Sequence, residues 1–283
     1  MRFYLSVILV LLTISVGMFF GGISVGVVFN ISEWILIMGI AAGSFIMSNP
    51  ISFFKQLGKQ LPKIMSEKPY NKNDYLDLLV FLFNFFKSSN TLTPSELENH
   101  IEDPKNSHLF NKNPILLKNA QALSFFQNHF RLITLGFQDI YEIENMMDVD
   151  LETRKNYSSR ITKSLNKLGD SLPALGIVAA VLGVIGAMAS AGAAPEILGA
   201  RVAGALIGTF AGVFFAYCVV NPIGAFLEKF SNDELAFIEC MKVAMLSYMK
   251  GIPSTIAVEF ARQVISEDIQ PSFDEVENVL YKQ

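Results

Sequence analysis

The sequence predicts an all-α, polytopic membrane protein with four transmembrane helices and a helical cytoplasmic domain. Of its 283 residues, 51% are hydrophobic and only 17% are charged, a balance unlike that of a large soluble domain. Residues 171–195 and 202–227 contain no Asp, Glu, Lys, Arg or His. Each run exceeds the roughly 20 apolar residues that a helix needs to cross a bilayer. They predict a membrane hairpin with spans at about 171–193 and 202–226, joined by a short polar turn.

The N-terminal part of the chain predicts another hairpin. Residues 3–32 carry no formal charge, and a further apolar stretch follows from Trp34 to Phe54. A signal peptide is the competing interpretation, but no small-residue cleavage site is followed by a polar mature start. The prediction is therefore two spans, at about 3–21 and 34–53.

The distribution of Lys and Arg predicts the topology. Segment 55–170 holds 15 of the 22 basic residues, whereas the turns on the opposite side hold Arg201 alone. Because basic residues collect on the cytoplasmic side, this segment and both termini are predicted to be cytoplasmic. The predicted domains are a transmembrane hairpin (1–54), a cytoplasmic helical domain (55–170), a second hairpin (171–227) and a cytoplasmic helical tail (228–283).

The predicted cytoplasmic parts are helical. Asp74–Lys87 is too short to span and too apolar to be exposed, which predicts a buried helix. Thr93–Glu96 is typical of a helix start, because a Thr cap precedes Pro in the first turn. Ser107–Pro114 predicts a loop, Ile115–Phe137 a long helix, and Leu151–Lys167 a helix that continues into the third span.

Two further helices are predicted in the tail, one around Ala257–Arg262 and a last capped helix from Pro271. The chain contains no nucleotide-binding loop, catalytic triad, metal cluster or basic run. It is therefore predicted not to be an enzyme, to hold no metal or cofactor, and not to bind nucleic acid.

Small residues recur along both helices of the second hairpin. Gly204, Gly208 and Gly212 lie four residues apart in the last span, and Gly176 and Gly183 give the preceding span a similar edge. This spacing lets helix backbones approach closely in a membrane. The stripe is equally consistent with packing within the chain and with packing on another subunit.

Neither span of this hairpin contains an ionisable group of the kind that relays protons. If the protein moves protons, a partner must supply the titrating group. Thr209 is the polar side chain near mid-span, beside the glycine stripe. Its alternative role is a hydroxyl bonded back to a carbonyl one turn earlier.

Several segments of the chain together resemble one known family. The last two spans contribute LPALGIVAAVLGVIGAM from Leu172, LGARVAGALIGTFAGVFFAY from Leu198, and Pro222. Further signatures are FGG at 20–22, AAGSFIMSN at 41–49, LENHIEDP at 97–104, EIENMMD at 142–148, IAVEFAR at 256–262 and PSF at 271–273. Over essentially the whole chain, these segments resemble the MotA-type flagellar stator proteins of the MotA/TolQ/ExbB superfamily.

The resemblance implies a homo-oligomeric ring, thought to be five subunits, in the bacterial inner membrane. The ring surrounds two copies of a peptidoglycan-anchored MotB-type partner, which brings the ion-carrying Asp. Ion flow turns the ring, and the cytoplasmic segment pushes on the switch protein of the rotor. The alternative is an ExbB- or TolQ-type energiser, although those relatives typically have three spans. A purely structural scaffold is a third possibility.

The resemblance also assigns residues to the ion path. Thr209 matches the Thr that faces the partner's Asp, and Tyr217 is assigned to the same path. Ala180 occupies a position similar to Thr in sodium-driven relatives. Because Na⁺ needs oxygen ligands and Ala supplies none, the expected coupling ion is the proton.

Other matching positions concern helix ends and the rotor. Pro173 and Pro222 match two prolines at the cytoplasmic ends of the spans, where helix start and helix stop, a hinge role, or both are consistent with the sequence. Glu98 matches the acidic member of a rotor-facing charge pair. The position of the basic member is Asn90 here, so Lys87 is the expected substitute.

Overall fold

The computed structural model describes residues 2–28, 31–62, 70–137, 139–189, 192 and 194–281. Within these ranges every regular element is helical, as predicted. The helices are α1 (Arg2–Phe20), α2 (Val25–Val28), α3 (Ile31–Ser48), α4 (Ile51–Gln60), α5 (Lys72–Ser89), α6 (Pro94–Glu102), α7 (His108–Lys112), α8 (Ala120–Thr134), α9 (Ile140–Met188), α10 (Pro195–Phe214), α11 (Asn221–Met249), α12 (Ser254–Gln263) and α13 (Phe273–Tyr281).

The chain divides into two compact units. Unit 1 comprises residues 1–67 and 158–229, and unit 2 comprises residues 68–157 and 230–283. Among the described residues, three helical stretches are long and apolar enough to cross a membrane: α3, α9, and the stretch from Pro195 to Met249. The apolar part of α1, Leu5–Phe20, is shorter.

The core of unit 1 is formed by α3, α9 and α10. Buried Ile37 and Ala41 of α3 pack with Leu172 and Ala179 of α9 and with Ala211 of α10. Most of these side chains are small, so van der Waals contact between close backbones, rather than bulky interdigitation, holds the helices together.

The end of α3 differs from the predicted span 34–53. α3 ends at Ser48, and α4 begins at Ile51 after Pro50, whose ψ of 160° is extended. The ring of Phe45 lies 5.6 Å from that of Phe53, whereas residues eight apart in a straight helix are separated by about 12 Å. The chain therefore turns sharply here, because proline disfavours a helical conformation at the residue before it.

The second helix of the second hairpin begins earlier in the chain than the predicted span. α10 begins at Pro195 rather than near residue 202, because proline suits the first position of a helix. The predicted end of the preceding span at residue 193 lies outside the described residues. Arg201 donates a hydrogen bond of 2.9 Å to the carbonyl of Gly186, one of the last carbonyls of α9. A cation is favourable at this end of a helix.

Unit 2 is built around a phenylalanine cluster. The predicted buried helix is confirmed as α5, whose apolar side chains are almost fully covered. Ring centroids within the cluster are 4.9–5.8 Å apart, in tilted, edge-to-face and stacked pairs. The members are Phe81, Phe85, Phe110, Phe126 and Phe130.

Local signals for helix ends were mostly correct. Thr93 forms a complete capping box with Glu96 at the start of α6, and Ser272 and Glu275 exchange the same bonds before α13. The predicted loop Ser107–Pro114 was wrong, since it contains the short helix α7, which buries Phe110. The predicted helix from Ile115 begins only at Ala120, because Asn119 caps it there.

The predicted continuous helix into the third span is confirmed. α9 runs from Ile140 to Met188 without interruption, and Pro173 lies inside it.

Candidate functional site

The centre of unit 1 is a contact between α9 and α10 at which glycines bring two backbones together. A Cβ atom on Gly176 would lie 2.7 Å from the carbonyl oxygen of Gly208, and one on Gly212 would lie 2.5 Å from that of Leu172. Real Cβ atoms essentially never approach other atoms closer than 3.0 Å. The two helices can therefore take this spacing only with glycine at both positions.

The contact extends along both helices. A Cβ atom on Gly183 would lie 2.7 Å from the Cβ of Ala205, and one on Gly208 would lie 3.1 Å from the Cβ of Ala179. Gly204 is buried on the same helix. Of the two alternatives for the stripe, packing within the chain accounts for Gly176, Gly183, Gly208 and Gly212.

The backbones of Thr209 and Ala180 are both part of this contact. The Cα of Thr209 lies 3.2 Å from the Cβ position of Gly176, and the amide nitrogen of Ala180 lies 3.2 Å from the Cβ position of Gly208. Both residues are half-buried. The hydroxyl of Ser171 bonds back to Leu168, but that of Thr209 has no hydrogen-bond partner among the described residues. The back-bonded alternative for Thr209 is therefore not observed.

The outer faces of α9 and α10 are apolar and exposed. Tyr217 shares this exposure, with 64% of its surface accessible. Contiguous apolar surface of this kind is suited to lipid or to another protein chain. The exposed side chains are Ile177, Val178, Val181, Leu182, Val184, Ile185, Met188, Val202, Leu206, Phe210 and Val213.

The two prolines lie within helical structure, so their interpretation as helix start and helix stop was wrong. Pro173 is inside α9, and Pro222 follows a π-helical segment, Phe215–Val220, and is the second residue of α11. The N–H of Asn221 bonds to the carbonyl of Ala216, five residues back. Because proline has no N–H and clashes with the carbonyl four residues earlier, a π segment accommodates it without ending the helix.

Sequence reasoning missed Glu33. It lies in the first turn of α3, with Oε1 3.4 Å from the Cβ position of Gly183. Its Oε2 is buried and has no partner in the described part of the chain. The signal was present, since Glu33 is the only charged residue between Arg2 and Lys55. A carboxylate of the first hairpin thus lies against the second.

The proposed rotor-facing residues lie in unit 2. Lys87, in the last turn of α5, and Glu98, on α6, are both exposed, and neither forms an ion pair with a described residue. The side chain of Asn90 accepts a 2.7 Å hydrogen bond from Tyr248.

The cation that does pair with α6 is Arg131 of α8, which binds Glu102. This pair joins residues 29 positions apart, so no local spacing could have predicted it. Among the described residues no group of three His, Cys, Asp or Glu side chains could hold a metal ion.

Two protein-family profiles match the chain. The profile of the motility protein A N-terminal region matches residues 5–92, and that of the MotA/TolQ/ExbB proton channel family matches residues 118–240. Among solved structures, C. jejuni MotAB superposes with a TM-score of 0.76 at 21% identity, covering 94% of this chain and 95% of that one. The Bacillus subtilis MotAB stator complex gives 0.69 at 20% identity, covering 90% and 92%.

Three curated relatives match over nearly their whole length. Motility protein A of Escherichia coli is 36% identical over 98% of this chain and 94% of its own length, and that of Salmonella typhimurium has the same identity and coverage. The chemotaxis protein LafT of Vibrio parahaemolyticus is 28% identical over 100% of this chain and 99% of its own. The chain belongs to the motility protein A family, within the MotA/TolQ/ExbB proton channel family.

Proposed function

We propose that this protein is a stator subunit of the flagellar motor that forms, with a MotB-type partner, a proton channel coupling ion flow to torque. The observation that carries the proposal is chain-long similarity to motility protein A, including both family regions. Residues 171–195 and 202–227 contain no carboxylate. The ion-carrying group is therefore assigned to the partner.

The membrane arrangement is part of the proposal. The four spans are assigned to α1, α3, the apolar end of α9, and α10 with the π segment. Both termini are placed in the cytoplasm, because segment 55–170 holds most of the basic residues. The domain boundaries proposed are 1–54, 55–170, 171–227 and 228–283, within the bacterial inner membrane.

The ion path is assigned to Thr209, Ala180 and Tyr217. Support comes from the glycine contact, which includes the backbones of Thr209 and Ala180, and from the hydroxyl of Thr209, which has no hydrogen-bond partner in the described part of the chain. The coupling ion is the proton, because Ala180 provides no oxygen for Na⁺. Pro173 and Pro222 act as hinges, since each leaves a backbone carbonyl without its usual donor.

The assembly proposed is a ring of this chain, with five subunits, around two peptidoglycan-anchored partner chains. The exposed apolar faces of α9 and α10 supply surface for such contacts. The rotor switch protein is contacted through exposed charges of unit 2, including Glu98 and Lys87. No catalytic chemistry or cofactor is needed for this role.

The alternative is an energiser of the ExbB or TolQ type, which the shared proton channel profile also covers. The match of residues 5–92 to the motility protein A N-terminal region favours the stator.

The experiment is swimming speed in cells that depend on this protein and its partner. Replacing Na⁺ by K⁺ at fixed pH is expected to leave the speed unchanged, and a protonophore is expected to abolish it. Speed that follows Na⁺ would overturn the proton assignment. Normal swimming without the protein, with a defect in outer-membrane transport, would favour the energiser.

Substitution of Thr209 tests the ion path separately. Thr209→Trp is expected to abolish swimming while the protein still inserts into the membrane. Thr209→Ser is the matched control, because it keeps the hydroxyl and adds no bulk. Normal swimming of the Trp variant would contradict the assigned path.

A further inference from the structure

Five exposed basic side chains on α4 and α9 of unit 1 lack an ionic partner among the described residues. Lys55 and Lys59 are four residues apart on α4, and Arg160, Lys163 and Lys167 follow one stripe of α9. Residues at these spacings lie on the same face of a helix. None of the five makes an ion pair with a residue that the structure describes.

The surroundings of these side chains offer little compensating charge. Residues 48–62, which include α4, contain no Asp or Glu, and neither does segment 158–169 of α9. Asp170, the next carboxylate along α9, is exposed, as is Glu228 beside the buried Leu227. A local excess of positive charge therefore persists on this part of unit 1.

Direct contacts place the two groups of cations in one layer. Ser164, which lies between Lys163 and Lys167 along α9, donates a 2.9 Å hydrogen bond to Oδ1 of Asn49, at the junction of α3 and α4. Phe53 of α4 packs in a buried cluster with α9. The cluster also contains Ile161, Leu165 and Leu227.

This layer adjoins the apolar segments of the same unit. α3, a candidate membrane span, ends at Ser48, seven positions before Lys55. On α9, the uncharged run begins at Ser171, four positions after Lys167. Basic side chains at the ends of apolar helices extend toward the polar headgroups of a bilayer.

We propose that this basic layer binds the phosphate groups of anionic phospholipids in the surrounding leaflet. Charge complementarity and continuity with the apolar spans identify anionic phospholipid as the ligand. A headgroup phosphate at this depth supplies the negative charge that the protein does not place beside these basic side chains. Each basic residue near an anionic surface strengthens binding by a factor of about five. Three substitutions are therefore expected to weaken binding by roughly 100-fold.

The test uses the purified full-length protein in a nonionic detergent, with unfolding followed by fluorescence of its one tryptophan, Trp34. The protein is titrated with phosphatidylglycerol, with phosphatidylcholine, or with glycerol 3-phosphate. Phosphatidylglycerol alone is expected to raise the midpoint of thermal unfolding, because a ligand that binds the folded state stabilises it. About 1 M salt is expected to remove the effect.

The variant K55Q/K59Q/K163Q is expected to need roughly 100-fold more phosphatidylglycerol for the same shift. The variant K105Q/K112Q/K118Q, which removes three exposed lysines of unit 2, is the matched control and is expected to respond like the wild type. An arginine triple variant, K55R/K59R/K163R, keeps the charge and is expected to retain the response.

Several results would overturn the proposal. An equal shift with phosphatidylcholine would show general lipid solvation, and an equal shift with glycerol 3-phosphate would show a site for free phosphate. An undiminished response of the glutamine variant would show that these side chains do not bind the lipid. If the glutamine variant does not fold, two other results would overturn the proposal. One is loss of the phosphatidylglycerol response in the folded arginine variant, and the other is persistence of the wild-type response at high salt.

Discussion

The closest approach between backbones in unit 1 predicts the effect of adding a single methyl group at Gly212. In Gly212→Ala the new Cβ would lie 2.5 Å from the carbonyl oxygen of Leu172 and 2.9 Å from the Cα of Gly176. Ordinary contact begins at 3.4 Å, so α9 and α10 must separate locally by 3.4 − 2.5, or 0.9 Å. Both obstructing atoms belong to backbone, which cannot move aside as a flexible side chain can.

The magnitude follows from two opposing effects. Overpacking of a close contact costs about 1–3 kcal/mol. Alanine also favours a helix over glycine by about 1 kcal/mol. Gly199→Ala, on the same helix, isolates the second effect, because a Cβ atom there meets nothing within 4 Å. The difference between the two variants is therefore expected to be about 1–3 kcal/mol, with Gly212→Ala the less stable.

The assay is thermal unfolding in detergent, followed by Trp34 fluorescence. The ring of Trp34 contacts that of Phe215 edge to face at 5.0 Å, within the unit under test. We expect a lower unfolding midpoint for Gly212→Ala and an unchanged or higher one for Gly199→Ala. Equal midpoints would refute the inference that glycine is required for the approach of α9 to α10.

Three further predictions concern other parts of the chain. Glu33→Met is expected to raise the unfolding midpoint, because it removes a buried carboxylate oxygen without a described partner; a fall would show that the carboxylate is paired. Phe85→Ala is expected to cost about 3–5 kcal/mol through the cavity left in the aromatic cluster, and circular dichroism that reports wild-type stability would contradict this. The hydrogen bond from Arg262 lowers the pKa of Glu259 below the ordinary value of 4.5. The stabilisation that this carboxylate contributes is therefore present above pH 4.5 and is lost as the pH falls through the folded-state pKa. Glu259→Gln should flatten the decline of stability in acid, and an unchanged acid profile would count against this reasoning.

Local patterns identified most helices correctly. The uncharged runs predicted the apolar helices, and the cap at Thr93 predicted the start of α6, because these signals act within one or two turns. The wrong predictions arose where a tertiary contact outweighed a weak local signal. α7 forms in a segment predicted to be a loop, where Phe110 enters the aromatic cluster and its burial outweighs weak helix propensity.

The sequence by itself determined the helical class, the apolar segments, the family and the glycine stripe, because composition and spacing carry this information directly. The tertiary structure alone decided which helix the stripe faces, that both prolines lie within helices, and that Glu33 rests against Gly183. It also grouped the basic residues of α4 with those of α9. These features join residues distant in the chain, and only the packing of helices against one another brings such residues together.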